Sequence, residues 1–371
     1  MSDTMNAVAG SLRVDPNPQP VEEARREEIL AAPGFGLHFT DHMVLIEWTP
    51  GRGWHGGRVQ PYGSLSLDPA TAVLHYAQEI FEGMKAYRHG DGSVWTFRPE
   101  FNAARFQRSS WRMALPQLPT DVFVDAVDAL VRTDAAWVPG GAETSLYVRP
   151  FMYASEVFLG VRPAEHATFC VIASPAGPYF PGDLKPVSIW LSQDYTRAAR
   201  GGTGAAKCGG NYAASLIAQQ QATDHGCAQV AFLDAVERRY VEELGGMNLF
   251  LVRTDGSIVT PELGDSVLDG VTRDSLISLL GDLGHKVEER RVEVAEWREG
   301  VAAGEVSEVF ACGTAAVVTP VGVLKWDGGQ ADSAAPHGGA AGPVTSAVRA
   351  ALVDVQYGRA ADDRGWLHRV R

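Results

Sequence analysis

Cysteine is scarce, with four residues in 371, and none of Cys170, Cys208, Cys227 and Cys312 stands in a CxxC or zinc-module spacing. That excludes a disulfide scaffold and a structural zinc domain, and it fits reduced thiols. Runs of about 18 apolar residues, the length needed to cross a bilayer, do not occur, so no membrane partner is expected. The opening residues, MSDTMNAVAGSLRVDP, have neither a basic segment nor an apolar one of the secretory kind, and the expected location is the cytoplasm. Basic residues are in deficit. The 32 Lys and Arg against 45 Asp and Glu give a net charge of −13, which argues against nucleic acid, because phosphate-backbone binding needs clustered cations.

What is present is the composition of a globular protein, 45% apolar and 21% charged, in a chain long enough for two domains. A polar, Pro-containing tail leads into VEEARREEILAAPG, a charged helix stopped at Pro33-Gly34, so residues 1–34 form a tail and helix. Residues 35–48 read as a strand and PGRGWHGG as a turn. Asp41, His42 and Glu47 lie at offsets that give no HExxH-type convergence, and no metal is assigned. Asp68-Pro69 opens a helix running toward Ile80, and FEGMKAY follows as a strand. A helix from about Glu100 to Leu115 carries Arg105, Arg108 and Arg112; Thr120 caps a second one. In TSLYVRP, Tyr147 and Arg149 point to one face and Leu146 and Val148 to the other. The Pro/Gly density of PAGPYFPGD, residues 175–183, marks a linker between a small domain, 35–174, and a large one, 184–371.

The most informative stretch is Arg200 to Phe250. Seven of the ten residues after Arg200 are Gly or Ala, so the backbone there can approach a ligand without Cβ interference. Lys207 stands alone in that bed. It is either a solvated charge or a reactive amine, and a desolvated, poorly paired amine is a Schiff-base nucleophile near neutral pH. Asn211 reads as the N-cap of a helix from Tyr212 to about Thr223. The buried-filler reading suits Cys208 better than a nucleophilic one.

The whole segment, KxGGNYxxSLxAQxxAxxxGxxQVxxLD followed by EExGxMNLF, keeps fixed spacings over about 45 residues. It resembles the branched-chain amino acid aminotransferases, class IV enzymes of pyridoxal-phosphate fold type IV. FTDHM, HYAQxxFEGMKAY, FRPxxNxxR, TSLYVRP, GVTR and GTA extend the likeness over about residues 35–371. The resemblance implies an α/β chain of the two-domain α+β kind. Its smaller domain is N-terminal, its larger one has a β-barrel-like core, and pyridoxal 5′-phosphate lies in the interdomain cleft.

It places the family's Schiff-base and catalytic lysine on Lys207, the pyridine-nitrogen carboxylate on Glu243 and the phenolic-oxygen partner on Tyr212. Arg105, Val271, Thr272 and Thr314 fall on the phosphate site, where a guanidinium fork and a helix start suit a dianion. Phe35, Tyr76, Phe81, Tyr147 and Arg149 fall on the substrate side chain, and Thr314 and Ala315 on its α-carboxylate. Where the family has LPG this chain has Leu268-Asp269-Gly270, a negative charge near the proposed phosphate. The positions of the redox CxxC found in some members are Ala316 and Thr319, so no thiol switch is expected. The activity implied is ping-pong transfer of the amino group of L-leucine, L-isoleucine or L-valine to 2-oxoglutarate, giving L-glutamate and 2-oxo acids, by a homodimer. The alternatives are a D-amino acid aminotransferase or an aminodeoxychorismate lyase, which share the lysine and glutamate but not the remaining motifs.

Overall fold

The computed structural model describes residues 12–177 and 184–371; the start of the expected N-terminal tail and residues 178–183 of the expected linker lie outside the described residues. Contacts divide the chain into two compact units, each built on its own sheet. Of the described residues, the first unit holds 12–177, Ala206–Gly209 and Val355–Arg371, and the second holds 184–205 and Gly210–Asp354.

The first sheet contains β1 (Arg13–Val14), β2 (His42–Thr49), β3 (Gly53–Pro61), β4 (Glu79–Phe81), β5 (Met84–Arg88), β6 (Val94–Phe97), β7 (Ser145–Ala154) and β8 (Ala167–Ala176). Its order is β1-β3-β2-β8-β7-β5-β6, with β4 beside β7 and the carboxy-terminal strand Leu367–Arg369 beside β6. That last pairing takes a strand from the stretch which the sequence reading gives to the large domain. Helices α1 (Glu23–Ala31), α2 (Val73–Tyr76), α3 (Pro99–Arg112) and α4 (Thr120–Thr133) belong to the same unit. The amphipathic pattern of α4 buries Val122, Phe123, Val127, Leu130 and Val131. Phe123 meets Phe106 of α3 at 5.3 Å and Phe169 of β8 at 5.8 Å between ring centroids. Burying each such ring contributes about 1.5–3 kcal/mol, enough to fix α3 against the sheet and with it every side chain that α3 presents.

Three local readings change. PGRGWHGG is mostly β3 rather than turn, because pairing with β2 absorbs its glycines, with a register shift near Gly56, where φ is 66°. The helix expected to reach Ile80 is the single turn α2, ended by Ala77 in the left-handed region at φ 49°. The strand expected from Phe35 begins only at His42, after Gly34 and Gly36 at φ 63° and 69°.

The second sheet has β9 (Val187–Leu191), β10 (Gln229–Leu233), β11 (Tyr240–Leu244), β12 (Asn248–Arg253), β13 (Ile258–Pro261), β14 (Val287–Arg290), β15 (Val292–Glu293), β16 (Val306–Gly313), β17 (Val317–Trp326) and β18 (Gly329–Asp332). The order is β14-β13-β12-β16-β17-β9-β10-β11-β15, with β18 beside β17. The two end strands, β14 and β15, are separated in sequence by Arg291 alone, so the sheet curls until its ends meet and becomes barrel-like. Alternate residues such as Leu249, Leu251, Val309, Ala311 and Val321 form its apolar cluster. Helices α5 (Gly209–Asp224), α6 (Val271–Asp282), α7 (Val294–Ala303) and α8 (Pro343–Gln356) complete the fold. Among the described residues, no helix is long and apolar enough to cross a membrane.

Candidate active site

In the first unit the lysine segment is held by its backbone. The Lys207 amide donates to Ser109 Oγ on α3 at 3.0 Å, the Lys207 carbonyl accepts from the Phe81 amide at 3.0 Å, and the Gly209 amide donates to the Glu79 carboxylate. The Lys207 ammonium lies 4.9 Å from the centre of the Phe81 ring, and the Arg149 guanidinium lies 4.8 Å from the same centre. Arg149 Nη2 donates to the Tyr147 hydroxyl at 3.1 Å, and Tyr147 meets Phe35 edge-on at 5.1 Å. Phe35, Phe81, Tyr147, Arg149 and Lys207 are thus brought together. Alternation along β7 does this for Tyr147 and Arg149, whose neighbours Leu146 and Val148 are fully buried on the other face. Arg149 Nε is buried without a hydrogen-bond partner.

Arg105, 4% exposed on α3, is gripped by Glu82, which is 0% exposed. Arg105 Nε donates to Glu82 Oε1 at 2.8 Å and Nη2 to Oε2 at 2.7 Å, while Asn102 Nδ2 adds a third bond to Oε2 at 2.7 Å. Burial alone would push the Glu82 carboxyl up, but the charge and hydrogen bond of Arg105, the charge of Lys207 and the Asn102 bond together hold it below the usual carboxylate range. Arg108 and Arg112 are exposed, as a solvated face should be. Tyr76 is 39% exposed, and its hydroxyl donates to the Leu159 carbonyl.

The second unit carries the remaining candidates. Glu243, 3% exposed on β11, forms an ion pair with Arg197, whose Nη2 also donates to the Gly204 carbonyl at 3.2 Å. Asn248 Nδ2 donates to Glu243 Oε2 at 3.4 Å and to the Leu268 carbonyl at 3.0 Å. The Glu243 carboxylate is thus buried against a guanidinium and an amide. Glu242, on the opposite face of the strand, takes the Ser266 hydroxyl, and burial raises its carboxyl. A cavity of about 540 Å³ opens on that other face, lined by Glu242, Ser266 and Arg291 among others, and touches none of the assigned cofactor residues.

Gly270 precedes α6, and a Cβ there would strike Asn248 Oδ1, so the chain enters the helix over a side chain that also holds Glu243. Val271 and Thr272, 5% and 6% exposed, form the first turn, where backbone amides lack intrahelical acceptors and the helix dipole is positive. Asp269, between Leu268 and Gly270, is half-buried. Thr314 and Ala315 occupy the turn between β16 and β17. Tyr212 is half-buried in the first turn of α5 beside Gly246. Asn211 is inside that helix rather than capping it: Thr203 Oγ1 donates to its Oδ1 at 2.7 Å and its Nδ2 donates to the Thr203 carbonyl at 2.8 Å. The small-residue loop is therefore closed by side-chain bonds, which Asn supplies better than a cap would.

The chemistry of the residues in each unit suits pyridoxal phosphate: the first offers an amine and a buried guanidinium, the second helix-start amides and a buried carboxylate fixed by an arginine. The sequence reading missed Glu79, Glu82, Arg197 and Asn248. Glu79, Glu82 and Arg197 act through partners distant in the chain and Asn248 through a partner on the preceding strand, so no local pattern in the sequence marks them. Asp41, His42 and Glu47 go to separate partners, namely the Val21 amide and Trp137, Asp134, and Arg58. All four cysteines are free and buried, and Cys208 belongs to the apolar core.

Comparison with known proteins gives a consistent answer. Residues 79–324 match the family described as amino-transferase class IV. The chain is 59% identical over 359 residues to a probable branched-chain-amino-acid aminotransferase of Streptomyces coelicolor, covering 96% of this chain and 98% of that protein. It is 54% identical over 370 residues to the branched-chain-amino-acid aminotransferase of Mycolicibacterium smegmatis, covering 99% and 100%. Among solved structures, the Escherichia coli branched-chain amino acid aminotransferase superposes with a TM-score of 0.74 at 29% identity, over 89% of this chain and 99% of that one. The branched-chain amino acid aminotransferase from Thermobaculum terrenum in its PLP-form gives 0.71 at 26% identity, over 88% and 98%. A match over most of the length makes this chain a member of the class IV aminotransferase family.

Proposed function

We infer that the chain is a branched-chain amino acid aminotransferase that moves the amino group of L-leucine, L-isoleucine or L-valine to 2-oxoglutarate, and the reverse, with pyridoxal 5′-phosphate as cofactor. The observation that carries this reading is the gathering of an amine, Lys207, and a guanidinium, Arg149, on one aromatic ring, Phe81. An aminotransferase needs that combination, a base beside an apolar wall with a cation that a dicarboxylate can reach.

When bound, the cofactor supplies an electron sink for the carbon that loses its proton. Lys207 is the residue that would hold the cofactor's aldehyde, and its Nζ would move the proton at the substrate Cα. As general acid-base catalysis that transfer is worth roughly 10²–10⁴-fold. Arg105, the Val271 and Thr272 amides and Thr314 bind the phosphate. Glu243 keeps the ring nitrogen protonated, and Tyr212 donates to the phenolic oxygen. Phe35, Tyr76, Phe81 and Tyr147 wall the aliphatic side chain, Thr314 and Ala315 take the α-carboxylate, and Arg149 takes the γ-carboxylate of glutamate. A hydrophobic wall separates single methylenes by only ~1–3 kcal/mol, so leucine, isoleucine and valine are all accepted. The working form is a cytoplasmic homodimer.

Borohydride reduction of the purified protein followed by peptide mapping tests the assignment. A phosphopyridoxyl adduct on Lys207, absent in Lys207→Ala, is expected, along with turnover of L-leucine with 2-oxoglutarate. Turnover of D-alanine alone would transfer the chain to the D-amino acid aminotransferases.

A further inference from the structure

Of the three hydrogen bonds described above for the backbone of the lysine segment, two use neutral partners, Ser109 Oγ and the Phe81 amide, and one uses a carboxylate, Glu79. Glu79 begins β4, where its backbone pairs with Tyr153 of β7, so the strand does not need its side chain for register. The side chain turns instead to the Gly209 amide, two residues beyond Lys207 at the first position of α5. Gly209 has no positive φ, and a Cβ there would push aside the end of the Glu79 side chain, so the glycine leaves room for the carboxylate to reach its amide. A glycine kept clear for one carboxylate is a matched pair. Burial raises the Glu79 carboxyl, while the Gly209 amide and then the charge of Arg149 work against that rise, which places Glu79 within electrostatic reach of Arg149 as well.

We propose that Glu79 is a positioning residue for Lys207: by fixing the Gly209 amide it sets where the lysine stem leaves the backbone and so where the amine stands over Phe81. A carboxylate on the first amides of a helix is a strong cap, and here the cap sits directly behind the amine. The functional part of this inference rests on the aminotransferase reading above; the structural part does not.

The test is amide hydrogen exchange of the peptide spanning 206–212 in the full chain, with and without pyridoxal phosphate, joined to steady-state kinetics. In Glu79→Ala the segment should exchange about five-fold faster, the factor that a helix cap is worth. Its kcat with L-leucine should fall about ten-fold with KM little changed, since a small misplacement of a reacting group costs rate rather than binding. Glu79→Gln keeps an acceptor oxygen for Gly209 and should return both readouts to within about two-fold of wild type. Should Glu79→Ala lose the wild-type circular dichroism, Glu79→Ser, too short to reach Gly209, takes its place with the same readouts. Unchanged exchange in the truncated variant overturns the proposal. So does a Glu79→Gln enzyme as slow as Glu79→Ala, because charge rather than the Gly209 bond would then be what matters. A failure of the aminotransferase reading would look different, as a wild-type protein that lacks both leucine turnover and the Lys207 adduct.

Discussion

Glu82 and Arg105 exchange two charge-assisted hydrogen bonds at 2.7–2.8 Å where neither is more than 4% exposed. A bidentate carboxylate, itself held by a third bond from Asn102, fixes the direction of Arg105, the residue proposed for the phosphate. Removing one partner of a buried pair costs about 3–5 kcal/mol, so Glu82→Gln should lose that much stability at pH 7 in urea titrations. The pH dependence has a definite sign. The folded carboxyl lies below its unfolded value, so its stabilisation is complete above roughly pH 4.3 and is lost as the pH falls through the folded value. The gap between wild type and Glu82→Gln should therefore be widest near neutrality and narrow toward about pH 3. A gap that widens in acid would show that Glu82 does not titrate as a paired carboxylate. Little of this pair was legible in the sequence: Arg105 came from a motif, but its partner is a single acid on another element and leaves no periodic trace. The same holds for Arg197 and Asn248 beside Glu243.

At the scale of elements, the break between β4 and β5 falls on Glu82 and Gly83, and Gly83 faces the Tyr147 hydroxyl of β7 so closely that a Cβ would overlap it. Its backbone is ordinary, so the constraint is space. Gly83→Ala should cost about 1–3 kcal/mol as overpacking and disturb the Tyr147 contact with Arg149. Tyr147→Phe deletes the colliding oxygen, and the double variant should melt above Gly83→Ala alone. Additive losses would mean that the two positions do not meet. Element types followed from sequence where a periodic apolar face existed, as in α4, because burial and periodicity there say the same thing. They failed where pairing overrode local preference. β3 is a strand made from a glycine-rich turn sequence because β2 supplies its hydrogen bonds, and α2 is one turn because Ala77 leaves the helical region.

Over the whole molecule, the residues proposed for the site fall in both units. The first bears the amine, the aromatic wall and Arg149; the second bears Glu243, the α6 start and the β16–β17 turn. An enzyme of this activity must take an apolar side chain in one half-reaction and a dicarboxylate in the other, and in a chain of net charge −13 the second is the harder task. The residue proposed for it is Arg149, half-buried beside the Phe81 ring and the Tyr147 hydroxyl. A charge-assisted hydrogen bond is worth about 1.5–3 kcal/mol, so Arg149→Met, which keeps the length of the stem, should raise the KM for 2-oxoglutarate roughly 10- to 150-fold. The kcat/KM for L-leucine, measured in single-turnover half-reactions, should stay within about three-fold, since leucine brings nothing for a guanidinium to bind. Equal losses in the two half-reactions would mean that Arg149 supports the Phe81 and Tyr147 wall rather than the dicarboxylate, and the acceptor's second carboxylate would then need another cation.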